Sequence, residues 1–106
     1  MLKGKVVKIR FKRNFADQKL WVFIGKVLEF SNYWISIEGI GLVIFKGRQQ
    51  PVDIDDEPRL LVIPRETIAH IRVLPDDFDY RNIQTKSKGF RLYVDIPGGP
   101  DTSISE

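Results

Sequence analysis

Basic side chains recur at every second position near the start of the chain, where Lys8, Arg10 and Lys12 alternate with apolar residues. A row of positive side chains can neutralise the phosphates of a nucleic acid, which is the sequence-independent part of RNA or DNA binding. Exposed aromatic side chains nearby would add base stacking, worth about 1–3 kcal/mol per base. Candidates for that role are Phe11, Phe15, Trp21, Tyr33 and Trp34. The alternative is a solvated cationic strand face with no ligand.

Residue types that perform catalysis are scarce. The single histidine, His70, has no serine or carboxylate placed by the sequence to form a relay with it, so we expect it to be structural or a contact in a binding surface. The acidic run at 53–57 lacks the glycine and spaced ligands of a calcium loop. The absence of cysteine excludes a thiolate metal site and a cysteine nucleophile. We therefore expect no enzyme activity, catalytic residue, metal, cofactor or small-molecule substrate.

Composition and charge narrow the class of protein further. The 106 residues are 42% hydrophobic and 29% charged, a balance typical of one globular domain. The net charge of +3 is divided unevenly, with 10 basic and 3 acidic residues in 1–50 and 7 basic and 11 acidic residues in 51–106. No apolar run approaches the roughly 20 residues of a membrane-spanning helix, and the first residues lack a secretion signal. We expect a cytoplasmic protein without a membrane partner.

The elements that would position these side chains are β-strands. Val, Ile and aromatic residues concentrate in short runs separated by Gly, Pro, Asn and Asp, which predicts an all-β fold. Residues 14–19 form either a hairpin loop or a single helical turn, 46–58 a long exposed loop, and 64–67 a 3₁₀-like turn. The predicted strands are 6–12, 21–30, 33–38, 59–63 and 68–74. A further apolar run follows the third strand at 42–45.

Glycines interrupt the longest apolar segments. Gly25 lies within 21–30, a segment with apolar residues on both faces, and favours a sharp bend or a close crossing of another strand. Gly39 and Gly41 bracket Ile40 and indicate a bulge or a second bend. Strands of this kind fit a small, strongly bent antiparallel barrel.

The second part of the chain is predicted to be an arm. We place the barrel in residues 1–75 and the arm in 76–106, with a flexible polar connection at 76–89, an additional strand at about 90–96 and a disordered end from 97. A strand at 90–96 must pair with a sheet edge. That edge belongs either to a neighbouring chain or to the same chain, folded back.

The order of the five strands resembles the Sm-like family, which includes the eukaryotic Sm and Lsm proteins and bacterial Hfq. The segment Gly25–Ile35 is similar to the first motif of that family, and Leu60–Ile71 is similar to the second. The resemblance as a whole, from the first to the fifth strand, covers about two thirds of the chain. The resemblance implies a five-stranded antiparallel barrel of the Sm-like or SH3-like type, here with an extra C-terminal strand.

The resemblance also implies an RNA site and shows where this chain departs from it. The family has an Asp in the turn of the first motif and an Asn at the start of the third strand, where this chain has Ser31 and Ile35. Asn32 either replaces the missing polar group or simply suits a tight turn. The Arg-Gly of the second motif is replaced by Pro64-Arg65, which keeps a guanidinium one position away.

Ring assembly is the last expectation. Sm-like proteins pair the fourth strand of one subunit with the fifth strand of the next, and the doubly apolar segments of this chain indicate burial against a partner. We expect a non-enzymatic protein that forms a homo-oligomeric ring and binds single-stranded RNA. The alternative is a structural or protein-interaction module that does not read bases. The expected RNA-contacting residues are Lys8, Arg10, Lys12, Asn32, Tyr33, Arg65 and His70.

Overall fold

The structure is a computed structural model that describes residues 2–12, 20–44, 52–55, 57–83, 85–88, 91–94 and 102–103. The predicted connection at 14–19 lies outside these residues. Regular structure in the described parts consists of β-strands and one 3₁₀ helix. The strands are β1 (Val6–Phe11), β2 (Leu20–Phe30), β3 (Trp34–Ile44), β4 (Val52–Ile54), β5 (Arg59–Pro64), β6 (Ile68–Val73), β7 (Thr85–Lys88), β8 (Arg91–Val94) and β9 (Thr102–Ser103).

The first six strands form one antiparallel sheet. Its order is β4-β3-β2-β1-β6, and β5 pairs with the first half of β3 while β4 pairs with the second half. The all-β, antiparallel prediction is confirmed, with the five predicted strands at β1, β2, β3, β5 and β6. The predicted 3₁₀ turn is also confirmed as the helix Arg65–Thr67 between β5 and β6. The loop prediction for 46–58 is wrong at β4, which pairs with residues 42–44.

Strands β2 and β3 approach each other closely at a pair of glycines. Gly25 lies opposite Gly39 in the register, and a Cβ added to Gly25 would lie 2.6 Å from the Gly39 Cα and against the Glu38 carbonyl oxygen. This confirms the predicted close crossing, because only glycine leaves room for the facing backbone. Of the bulge or second bend predicted at Gly39–Gly41, the bulge is absent from the β2–β3 ladder, whose register is continuous there and shifts between Val27 and Glu29 instead.

Apolar side chains on one face of the sheet form an inner core. They come from four of the strands, since period-2 alternation sends every second residue to this side. At its centre, Ile9, Ile35 and Ile37 have no solvent exposure. The full buried set is Val7, Ile9, Phe23, Val27, Ile35, Ile37 and Ile63.

The other face of the sheet carries a second apolar layer. Val6, Val22, Ile24 and Leu42 are buried there beneath Leu74, Phe78 and Tyr80, with Ile83 packed at the edge. We call residues 74–83 the strap. The sequence predicted a polar, flexible connection at 76–89, and the structure differs from this polar pattern at Phe78 and Tyr80, whose side chains are buried on the sheet. The chain itself thus covers this part of the second apolar face, which the sequence had assigned to an oligomer partner.

The C-terminal strands form a separate pairing set. Strand β8 lies within the predicted 90–96 strand and pairs antiparallel with β7 and β9 of the same chain. The predicted disordered end is wrong at 102–103, which form β9, and its other residues lie outside the described parts. No helix in the described residues is long and apolar enough to cross a membrane.

The glycine crossing generates a stability prediction. Gly25→Ala should lower the free energy of unfolding by about 3 kcal/mol or more, because the new Cβ meets backbone atoms that cannot move aside. Gly41→Ala is the matched control, since its Cβ would meet side-chain atoms and no backbone, at 2.9 Å from Asp55 Oδ2 and 3.6 Å from Phe23 Cδ1. Urea denaturation followed by circular dichroism measures both. Equal losses in the two variants would contradict the backbone crossing.

Candidate nucleic-acid interface

The turn between β2 and β3 is fixed by Ser31. Its backbone N–H donates to the Trp34 carbonyl oxygen at 3.0 Å, and its Oγ accepts from the backbone N–H of Trp34 at 3.0 Å and of Tyr33 at 3.4 Å. The side chains of Tyr33 and Trp34 point outward as a result, with 75% and 53% of their surfaces exposed. Ser31 therefore holds the turn, and two large aromatic rings are left in contact with solvent.

Arg65 of the 3₁₀ helix connects that turn to the β5–β6 junction. Its Nη1 donates to the Ser31 carbonyl oxygen at 3.0 Å and the Asn32 carbonyl oxygen at 3.2 Å, and its backbone N–H donates to the Tyr33 carbonyl oxygen at 2.9 Å. Its guanidinium stacks over the Phe30 ring, 4.4 Å from the centroid. The exposed guanidinium is thus held in a fixed orientation beside Asn32 and Tyr33.

The end of β1 meets the other end of the 3₁₀ helix. The Lys12 backbone N–H donates to the Thr67 carbonyl oxygen at 2.8 Å, and the Lys12 side chain is exposed. Glu66 is also exposed here and adds one negative charge. We define the 3₁₀ face as the exposed residues around this helix that could contact a nucleic acid: Lys12, Asn32, Tyr33, Trp34 and Arg65.

The remaining predicted RNA contacts, Lys8, Arg10 and His70, lie on β1 and β6. Lys8 faces Arg72 and Arg10 faces His70 across the two strands. Lys8 has no exposed surface, while Arg10 and His70 are half-buried. The prediction of one solvated basic face on β1 is wrong at Lys8, which cannot contact RNA in this conformation. Hydrogen bonds join Asn32, Tyr33 and Arg65, and the Lys12 backbone binds Thr67 of the same 3₁₀ helix.

Sequence reasoning missed a polar cluster where the strap meets β3. Glu38 Oε1 accepts a hydrogen bond from the Tyr80 hydroxyl at 2.9 Å and another from Arg81 Nη2 at 2.7 Å. These two hydrogen bonds hold the pKa of the Glu38 carboxyl below its ordinary value. Burial, followed by the hydrogen bond to the carboxylate, raises the pKa of Tyr80, so the phenol stays protonated. The sequence did hold one sign of this cluster: the aromatic residues Phe78 and Tyr80 alternate with acidic residues, a pattern typical of a segment with one buried face.

A cleft of about 370 Å³ lies beside this cluster. Lys26, Leu28 and Asp77 are among its lining residues, together with parts of the strap. The described residues contain no group of three or more His, Cys, Asp or Glu side chains arranged to hold a metal ion. The exposed aromatic and cationic side chains of the 3₁₀ face are suited to stacking and phosphate contact instead.

Comparison with protein-family models, with curated proteins and with solved structures found no match to this chain.

The buried position of Lys8 leads to a prediction that separates folding from binding. Lys8→Glu should lower the free energy of unfolding by about 3 kcal/mol or more, because it reverses a charge that has no solvent exposure. Lys12→Glu makes the same change at an exposed position and should alter stability by about 0.5 kcal/mol or less. Urea denaturation of both variants is the measurement. If Lys8→Glu were as stable as Lys12→Glu, the assigned burial would be incorrect.

Proposed function

We propose that this chain is a non-enzymatic, Sm-like RNA-binding protein that forms a homo-oligomeric ring and binds single-stranded RNA at the 3₁₀ face. One observation carries the proposal. Asn32, Tyr33 and Arg65 come from two segments about 30 positions apart, and direct hydrogen bonds hold them together with their side chains exposed. The sequence predicted all three as RNA contacts, Asn32 and Arg65 from the resemblance to the Sm-like family and Tyr33 as a base-stacking aromatic, so their convergence supports the proposal.

The chemistry of the 3₁₀ face suits a single strand better than a duplex. The Tyr33 and Trp34 rings offer flat apolar surfaces on which unpaired bases can stack. Arg65 retains donors beyond the Nη1 that binds the turn, and both Arg65 and Lys12 can neutralise phosphates. The exposed side-chain amide of Asn32 can pair with the edge of a base.

The two ends of the main sheet support assembly. Within the described residues, β5 pairs only with β3 and β6 pairs only with β1, so each presents one unpaired backbone edge. Strand β5 also exposes 65% of Leu60 and 60% of Val62. Pairing β5 of one copy with β6 of the next would cover both edges, and repetition around an axis would close a ring.

RNA binding is predicted to depend on named side chains of the 3₁₀ face. Tyr33→Ala and Arg65→Gln should each weaken binding of a fluorescein-labelled single-stranded RNA by about 1–3 kcal/mol, because each removes a stacking or charge-assisted contact. Lys12→Gln should reduce the slope of log affinity against log salt concentration by roughly 0.7 for each subunit whose Lys12 contacts a phosphate. Fluorescence anisotropy over a salt series measures both quantities.

Arg59→Gln is the matched control for Arg65→Gln. Arg59 is an exposed arginine at the opposite end of β5, where its Nε lies 3.7 Å from Asp55 Oδ2. It should change affinity little apart from a small electrostatic effect. If the two arginine variants lost equal affinity, binding would be diffuse and not centred on the 3₁₀ face. Absence of binding by the parent protein at low salt would reject RNA binding.

Assembly is predicted to depend on β5. Multi-angle light scattering should give a whole-number multiple of the 12.3 kDa chain mass at micromolar concentration, several times that mass for a ring. Val62→Lys should reduce the mass, because it places a charge on β5, the strand that the next copy would cover. Leu28→Lys, at an exposed position of β2, is the control and should leave the mass unchanged. A parent protein of 12.3 kDa would reject the ring.

The second candidate function is a protein-interaction module. The exposed apolar side chains of Leu60, Val62 and Trp34 favour it, since they suit an apolar partner as well as a second copy. It predicts a monomer that does not retain RNA at low salt. The anisotropy and scattering measurements therefore separate the two candidates.

A further inference from the structure

The strap is attached to the sheet differently from the strands. The Leu74 backbone N–H donates to the Val6 carbonyl oxygen at 2.8 Å, at the point where the strap leaves β6. Beyond Leu74, the backbone-to-backbone hydrogen bonds of the described strap run within it. They join Phe78 N–H to Pro75 O at 3.0 Å, Tyr80 N–H to Phe78 O at 3.1 Å and Asn82 N–H to Asp79 O at 3.2 Å. Its backbone can leave the sheet without breaking a β-ladder.

Side chains carry most of the contact between strap and sheet. Leu74, Phe78 and Tyr80 pack on the outer layer formed by Val6, Val22, Ile24 and Leu42. Polar contacts flank this packing at two places. The Tyr80 hydroxyl and Arg81 bind the same oxygen of Glu38, and Lys5 lies 3.5 Å from Asp76 in an exposed ion pair.

The cleft of about 370 Å³ marks incomplete packing along the same border. Its lining includes Asp76 and Asp77 from the strap and Lys26 and Leu28 from β2, so an open cleft runs along the border between the strap and the sheet. Segments with few backbone hydrogen bonds to the rest of a fold, and with solvated polar contacts, open at lower free energy than the core.

From these contacts we infer that the strap detaches from the sheet as a unit while the main sheet stays folded. The hinge lies at Leu74–Pro75. The hydrogen bonds that Glu38 accepts hold the strap in the closed position. Opening exposes the outer layer as an apolar surface. This opening of the strap does not rest on the proposed RNA binding, because the strap and the 3₁₀ face share no residue.

Hydrogen exchange of the full-length chain, read by mass spectrometry, tests this inference. In the parent protein, amides of 78–82 should exchange faster than those of β1 and β2. Glu38→Gln should accelerate exchange in 78–82 roughly five- to tenfold and leave β1 and β2 unchanged, because it removes the charge that accepts both hydrogen bonds. Arg81→Gln, a change at an exposed side chain, should act on the same amides in the same direction.

Glu29→Gln is the matched control. Glu29 is an exposed carboxylate on β2 that pairs with Lys3 at 3.5 Å, so its change to Gln should not alter exchange in the strap. The inference is overturned if 78–82 and the β1–β2 amides exchange at the same rate in the parent protein. It is also overturned if Glu38→Gln accelerates all amides equally, or none.

Discussion

The structure depends on one close approach, the crossing of the β2 and β3 backbones at Gly25 and Gly39. Because neither residue carries a Cβ, the two long strands can touch at this point and remain paired over residues 20–27. One half of β3 then pairs with β5 and the other half with β4. In the β3–β5 ladder Trp34 pairs with Pro64, which places the β2–β3 turn next to the 3₁₀ helix and so forms the candidate RNA site.

Two-sided burial is the second consequence of these long strands. Period-2 alternation in β1 and β2 supplies apolar residues to an inner core and to an outer layer. The outer layer does not require a second subunit where the strap covers it. The physical argument for assembly therefore moves to the unpaired edges of β5 and β6 and to the exposed leucine and valine side chains of β5.

The sequence predicted the local features well, because they depend on near neighbours. Alternation located the strands, Gly25 located the crossing, and Pro64 with the three residues after it predicted the 3₁₀ helix. What covers a strand face depends on distant residues, and alternation carries no information about it. Hence Lys8 was assigned to solvent, and Phe78 and Tyr80 were overlooked among carboxylates. The resemblance suggested Asn32 and Arg65, and the aromatic side chain suggested Tyr33, but only the fold could bring segments so far apart into contact.

Photo-crosslinking tests the central claim most directly, because it identifies where RNA touches the protein. A single-stranded RNA containing thiouridine would be crosslinked to the parent protein by long-wavelength light, and the modified peptides identified by mass spectrometry. The account predicts crosslinks to Tyr33 or Trp34, the most exposed aromatic residues of the 3₁₀ face. Crosslinks confined to the strap, to β7–β9 or to the β1–β6 face, with none at the β2–β3 turn, would contradict it.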